Sequence, residues 1–414
     1  MYVLVSYVNK MKILHINQSD IIGGAAIAGY RLHQGLLEQG IDSKMMVGTV
    51  KTDSDRILPV PRKYRLENQL NRFTKYSGLN YINLLSSFDI PSHKFYQDAD
   101  ILNFHNLHTG YFNYLAIPTL TKTKPTVFTL HDMWSLTGHC AYSYDCDRWK
   151  TSCGRCPYPD TYPAIYRDST YLEWKLKDWV YSKSNLVIVT PSNWLTEQAQ
   201  KSMLRRFPIC QIPYSIDTEA YLPLNRLLCK DLLGITQDKR VLLFGADSLK
   251  DQRKGGDLLL KVLQQLPQSL KSETVLLTFG NGSEAIIAEL GMQNINLGYI
   301  NSDRIKSIAY SAADLFIFPT RADNLPLVLQ ESMACGTPMV SFDIGGVPDL
   351  VRPMITGYLA KSEDTQDFCN GIVRLLEDEQ LRQTMSINCR AIALAEYSLE
   401  LQAKSYIELY KKML

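Results

Sequence analysis

The stretch Leu315-Phe-Ile-Phe318-Pro319-Thr-Arg-Ala-Asp323-Asn324-Leu325-Pro326-Leu327-Val-Leu-Gln-Glu331-Ser-Met-Ala-Cys335-Gly336-Thr-Pro338 decides the fold. Leu315 to Phe318 is an apolar run short enough for a buried strand, and Pro319 ends it. A brief polar loop follows, and Leu325 to Cys335 then read as a helix stopped by Gly336. A strand-loop-helix turn directs backbone N–H groups outward, toward a phosphate or sugar hydroxyls. Asp323 stands just before the helix, and Glu331, eight residues on, could accept hydrogen bonds from the paired hydroxyls of a ribose. Taken singly, each carboxylate favours the plainer reading, Asp323 as a helix cap and Glu331 as a solvated side chain.

The same alternation runs outward in both directions. Strand candidates in the first half are Lys12–Ile16, Ser43–Val47, Ile101–Phe104, Thr126–Leu130 and Leu186–Val189. The second half offers Val241–Phe244, Val275–Phe279, Ile295–Leu297, Leu315–Phe318 and Met339–Phe342. Helical patterns such as Ala26–Gln39, Asp257–Leu266 and Asp303–Ala312 lie between them, which is the signature of parallel α/β sheets. A chain of 414 residues accommodates two such domains. Charged residues are 21%, hydrophobic ones 45% and the net charge is +2, a globular balance that argues against bulk nucleic-acid binding. No apolar run approaches the roughly 18–20 residues of a membrane span. Met1–Lys10 lacks the basic start and cleavage site of a signal peptide and reads as a dispensable extension before Met11. Nine cysteines, an odd number and mostly isolated, suit a reducing cytoplasm.

The string Glu331-Ser-Met-Ala-Cys-Gly336-Thr-Pro338 resembles the donor-site segment of glycosyltransferase family 4, whose pattern is Glu-x7-Glu followed by Ala-Met-Ala-Cys-Gly-x-Pro. Two departures stand out: Asp323 replaces the first Glu, and Asn324-Leu325-Pro326 replaces Gly-Phe-Gly. The resemblance implies an α/β chain of GT-B fold, two Rossmann-like domains facing across a cleft, with a C-terminal helix crossing back to the first. Pro213-Tyr-Ser-Ile-Asp217 is similar to the segment before the interdomain linker. The expected partition is therefore 1–222, the acceptor domain; 223–395, the nucleotide-sugar donor domain; and 396–414, the crossover helix.

Site residues follow from the same resemblance. Gly23 and Gly24, between a strand and a helix, correspond to a glycine pair that touches donor phosphates. Relatives hold the diphosphate with an Arg after the first strand of the second domain and a Lys before a Gly. Lys254-Gly255 matches the second; the first position is Ala246, leaving Lys250 or Arg253 to substitute, with Arg253 favoured because its fork suits phosphate. Gly280-Asn-Gly282 resembles the turn beside the nucleotide, and Gly298-Tyr299-Ile300 the segment facing the base edge. Asn324, Leu325, Pro326 and Leu327 complete the donor loop. His131, directly after its strand, matches a family histidine near the donor sugar, while His105, His108 and Asp132 are candidates for the acceptor side. Transfer in this family retains configuration and needs no cofactor or metal.

His139-Cys140, Cys146, Cys153 and Cys156 form a second cluster. Cys153-x2-Cys156 is a common thiolate pair, and the four cysteines would make a structural zinc site, with His139 as an alternative ligand. Four reduced cysteines in an irregular loop are the competing reading. Tyr142, Tyr144, Trp149, Tyr158 and Tyr162 could stack on sugars or pack the loop. Arg62 to Tyr76 interleaves basic and aromatic residues, either a solvated face or a contact with an anionic membrane. The expected protein is a cytoplasmic glycosyltransferase at the inner face of the membrane, taking a nucleotide-diphosphate sugar and a glycan or lipid-linked acceptor in polysaccharide assembly. A nucleotide-sugar 2-epimerase of the same fold and a scaffold that has lost catalysis are the alternatives.

Overall fold

The computed structural model of the chain describes residues 11–248, 251–281 and 291–414. The N-terminal extension, Lys250 and Gly282 therefore lie outside the described residues. Two compact units emerge: Met1–Pro213 with Gln402–Leu414, and Tyr214–Leu401.

In the first unit β1 (Lys12–Ser19) leads into α1 (Gly24–Glu38), followed by β2 (Asp42–Thr49), β3 (Ile57–Pro59), helix α2 (Tyr64–Ser77), β4 (Ile101–Phe104), β5 (Thr126–Thr129), helix α3 (Thr170–Ser182), β6 (Val187–Thr190) and β7 (Ile209–Gln211). The sheet order is β3-β2-β1-β4-β5-β6-β7, every neighbouring pair parallel. Every residue of β4 and β5 is buried, as expected of strands covered on both faces.

The second unit contains β8 (Arg240–Ser248), α4 (Gly256–Gln265), β9 (Thr274–Asn281), β10 (Gln293–Asn296), α5 (Asp303–Ala312), β11 (Leu315–Phe318), α6 (Leu327–Ala334), β12 (Met339–Phe342), β13 (Gly357–Ala360), α7 (Thr365–Glu377) and α8 (Glu379–Glu396). Its parallel sheet runs β10-β9-β8-β11-β12-β13. In each sheet the strand order reverses once, between β1 and β4 and between β8 and β11. Such a switch point opens a crevice at the carboxyl ends of the strands.

The final helix, α9 (Leu399–Met413), completes the first unit. Its Ala403, Tyr406, Ile407 and Tyr410 join Ile13, Leu32, Ile101 and Val127 in one apolar cluster. Tyr410 accepts a hydrogen bond from Asn103 Nδ2 at 2.9 Å, and the Tyr406 hydroxyl lies 3.0 Å from Thr129 Oγ1. The segment before the expected linker keeps to the second unit. Gln330 Nε2 donates to the Tyr214 carbonyl (2.7 Å), Tyr221 OH to Asp303 (2.7 Å), and Arg390 to the carbonyls of Thr218 and Tyr221.

Candidate functional site

At the β8/β11 switch point, the turn Gln252–Lys254 after β8 is stitched to the loop after β11. Thr320 Oγ1 and the Arg321 N–H both donate to the Arg253 carbonyl, at 3.0 and 2.8 Å. Gly255 has φ 72°, and a Cβ there would lie 1.9 Å from the Pro319 carbonyl oxygen, so only glycine allows the two loops this close. The result brings three charges together. Asp323 Oδ2 accepts from Lys254 Nζ at 2.6 Å and from Arg253 Nη1 at 3.0 Å. Burial opposes the Asp323 charge, but the two cations outweigh it and hold its carboxyl below the usual range. Burial, then Arg253, lowers the Lys254 ammonium. A second glycine guards the other flank: Gly345 (φ 56°) would place a Cβ 2.1 Å from the Asp323 carbonyl, which accepts the Gly346 N–H at 3.1 Å.

Asp323 is thus not a helix cap; Pro326 holds the N-cap position and α6 begins at Leu327. Nor is Glu331 solvated. It is 2% exposed, accepts from Tyr310 OH at 3.2 Å and has Lys306 Nζ at 3.9 Å. Lys306 and Tyr310, one turn apart on α5, were not singled out from the sequence; their i,i+4 spacing before the donor strand was the available signal. Asn324, Leu325 and Pro326 are buried in the same loop, with Leu327 partly exposed. Gly280 (φ 110°) has a packing role: a Cβ would meet the Ala246 carbonyl at 1.7 Å, and its N–H donates to the Gly298 carbonyl at 2.7 Å.

In the first unit the residues after β1, β4 and β5 converge. Gly23 (φ 84°) precedes α1 and accepts the Ile27 N–H at 3.0 Å, with Gly24 opening the helix. His131 Nε2 lies 3.0 Å from His105 Nδ1, and His105 Nε2 lies 2.9 Å from His15 Nδ1. Burial lowers all three rings, His131 to about 4. The structure separates His105 from His108, which the sequence grouped. His108 Nε2 is 2.9 Å from Asp132 Oδ2, and Asp132 Oδ1 accepts the Trp134 N–H at 2.8 Å. Burial opposes the Asp132 charge, but His108 and the Trp134 N–H prevail and its carboxyl titrates below the usual range. Tyr162, 59% exposed, sets its ring edge-on to His108 at 5.5 Å.

No ligand cluster stands out in the cysteine loop. Among the described residues no three His, Cys, Asp or Glu side chains are grouped to hold a metal ion. All four loop cysteines are free thiols, and burial pushes Cys140 up to about 12 and Cys153 to about 11. Cys153 Sγ accepts the Gly138 N–H, and Cys156 Sγ lies 3.2 Å from His139 Nε2, whose Nδ1–H donates to the Pro163 carbonyl. Packing anchors the loop. Trp149 is buried, its carbonyl accepts Trp174 Nε1–H at 2.9 Å, and Lys177 donates to the Trp134 and Thr137 carbonyls. Trp149 is therefore core, and Tyr142 stacks on Trp194.

Residues 232–391 match the family of glycosyl transferases group 1, and residues 22–220 match Glycosyltransferase Family 4. A glycosyl transferase of Escherichia coli (strain K12), WcaC, whose name assigns it provisionally to colanic acid biosynthesis, is 26% identical over 80% of this chain and 83% of its own. The sucrose-phosphate synthase of Thermosynechococcus elongatus superposes with a TM-score of 0.70 at 18% identity, covering 97% of this chain and 99% of the other. Anabaena HepE in complex with UDP gives 0.68 at 16% identity, over 97% and 100%. The last two share the GT-B fold.

Proposed function

We propose, from the premise that this chain belongs to glycosyltransferase family 4 and so transfers sugar from a nucleotide sugar, that the transfer retains configuration and ends on a glycan or lipid-linked hydroxyl in polysaccharide assembly. The observation that carries the reading is the triad of Lys254, Arg253 and Asp323 at a switch point, with a buried Glu331 on the helix that follows. Two cations held by one carboxylate are poised to exchange that partner for a diphosphate. The departing diphosphate would then be stabilised by Lys254 and Arg253, with Arg253 filling the place left by Ala246. Asp323, released, meets hydroxyls of the sugar; Glu331 takes the ribose. Within the first unit, His131 and the His108–Asp132 pair beside Tyr162 offer hydrogen bonds to sugar hydroxyls. An oxocarbenium-like sugar is attacked on the face the diphosphate leaves, and the diphosphate accepts the proton of the incoming hydroxyl.

We place the reaction at the cytoplasmic face of a membrane. Among the described residues no helix is long and apolar enough to cross one. Phe73 and Tyr76, each 76% exposed, share α2 with exposed Arg65 and Arg72, a combination suited to anionic headgroups.

The test incubates the full chain with UDP-, GDP- and ADP-sugars and follows nucleotide release and anomeric configuration by NMR, with and without anionic vesicles. One donor should be turned over with retention, and the chain should sediment with anionic but not neutral vesicles. Binding without turnover of any donor would favour the scaffold reading, prompted by the short Asp323. An inverted product would refute retention.

A further inference from the structure

Asp20, in the turn after β1, is a fully buried carboxylate that the chemistry above leaves unused. Its Oδ2 accepts the Lys51 and Thr52 N–H groups at 2.8 and 2.7 Å and the Thr52 hydroxyl at 2.8 Å. Its Oδ1 accepts the Ile21 N–H at 2.9 Å and the Ser19 hydroxyl at 3.0 Å. Burial opposes the charge, but the Thr52, Lys51 and Ile21 donors prevail and hold the carboxyl below the usual range. β1 and β2 are parallel neighbours, so their following loops leave the sheet at the same carboxyl edge. Asp20 clasps one loop to the other.

The clasped segment is the turn that leads into α1. Burial fixes that turn only weakly, since Ile21 and Ile22 are 39% and 47% exposed. Gly23 (φ 84°) is not wedged either: a Cβ there would come no closer than 3.7 Å, to Gln18 Nε2. No side chain caps α1, whose first N–H groups follow the turn directly. The ties from Ser19 and Gln18 are longer than those of Asp20. Ser19 Oγ accepts the Ile22 N–H at 3.3 Å, and Gln18 Nε2 donates to the Ile22 carbonyl at 3.4 Å. We propose that Asp20 is a positioning residue for sugar transfer, holding the Gly23–Gly24 turn in its receptive shape before the donor arrives. A turn ordered in advance spares the donor the cost of ordering it, so the benefit falls on binding and not on the chemical step. The role rests on the reading of Gly23 and Gly24 as a pair that touches donor phosphates; the clasp itself does not.

Asp20→Asn separates the two halves of the clasp. Its single carbonyl oxygen turns to the three donors of Lys51 and Thr52, which sets an NH2 group against the Ile21 N–H and releases the turn. In the full chain, with the donor selected by the screen above, donor KM should rise about tenfold while kcat stays within about threefold. Hydrogen exchange of the Ile21 and Ile22 amides should quicken. Thr52→Val, which removes one donor from the far side, should raise KM less, and Thr52→Ser should restore it. Read well below the unfolding transition, KM and its rescue by serine would not respond to lost stability alone. Unchanged exchange in Asp20→Asn overturns the clasp, and quickened exchange at wild-type KM overturns the positioning role. Gly24→Pro deletes the first N–H of α1 at a position that tolerates proline, and so tests the phosphate reading by itself. Wild-type donor KM in Gly24→Pro would withdraw that reading; a raised KM there beside wild-type KM in Asp20→Asn would refute Asp20 alone.

Discussion

Acid should unfold the first unit well before its carboxylates titrate. Four of its histidines, His15, His33, His105 and His131, are buried and neutral, with burial the leading cause in each; His33 and His131 are lowered to about 4. The Arg56 charge pushes the same way on His33 and that of His108 on His131, while Asp132 opposes. A histidine whose folded pKa is depressed leaves the unfolded chain binding more protons, so stability is complete above about pH 6.5 and falls as pH drops toward the folded values. Each ring then costs about 1.4 kcal/mol per pH unit inside that window. With four rings, the loss approaches about 5 kcal/mol per unit, comparable with the whole stability of an ordinary domain. The five tryptophans, Trp134, Trp149, Trp174, Trp179 and Trp194, all lie in the first unit, so their fluorescence follows it selectively. Urea midpoints taken from pH 7.5 to 5.0 should fall steeply; a flat profile would mean that these rings are protonated or hydrated in the native state.

Removing the Lys254 ammonium should lower kcat by about a hundred- to a thousandfold, the usual effect of deleting one group that stabilises developing negative charge. The loop should survive the change. Its close approach to Pro319 depends on Gly255, and the Arg253 carbonyl keeps its bonds from Thr320 and Arg321. Asp323 keeps Arg253 as its partner at 3.0 Å, so the carboxylate is not left as an isolated buried charge. Lys254→Ala should therefore fold and lose turnover, measured as nucleotide release under saturating donor. Turnover within a few-fold of wild type would move the leaving-group role to Arg253 alone.

Much of this was legible in the sequence because parallel strands announce themselves. Each of the ten expected strands has an observed counterpart, and Leu315–Phe318 keeps its expected limits. The three unforeseen strands, Ile57–Pro59, Ile209–Gln211 and Gly357–Ala360, are short, half-buried sheet edges without the continuous apolar run that marks the central strands. Helix α6 starts at Leu327 and not Leu325, because Pro326 occupies its N-cap. What the sequence could not display was pairing across strands. Nothing in the spacing of His15, His105 and His131 reveals that they form one row, since their proximity is created by the order β1-β4-β5. The same holds for Asp323 with Lys254, 69 residues apart. The anchoring of the cysteine loop was hidden for the same reason: its spacing resembled a ligand set, whereas the contacts of Trp149, Trp174 and Lys177 that hold it arise by packing and backbone hydrogen bonds between distant segments.

Glu331 is the most direct handle on the claim that the second unit holds the nucleotide. Its carboxylate is buried with Tyr310 beside it, and a ribose would offer it two hydroxyls. Isothermal titration of UDP, GDP and ADP into wild type and Glu331→Ala decides the matter. One diphosphate should bind wild type, and the variant should lose at least about tenfold in affinity, since hydrogen bonds to a charged group contribute about 1.5–3 kcal/mol each. Equal affinities for the two proteins would contradict the assignment.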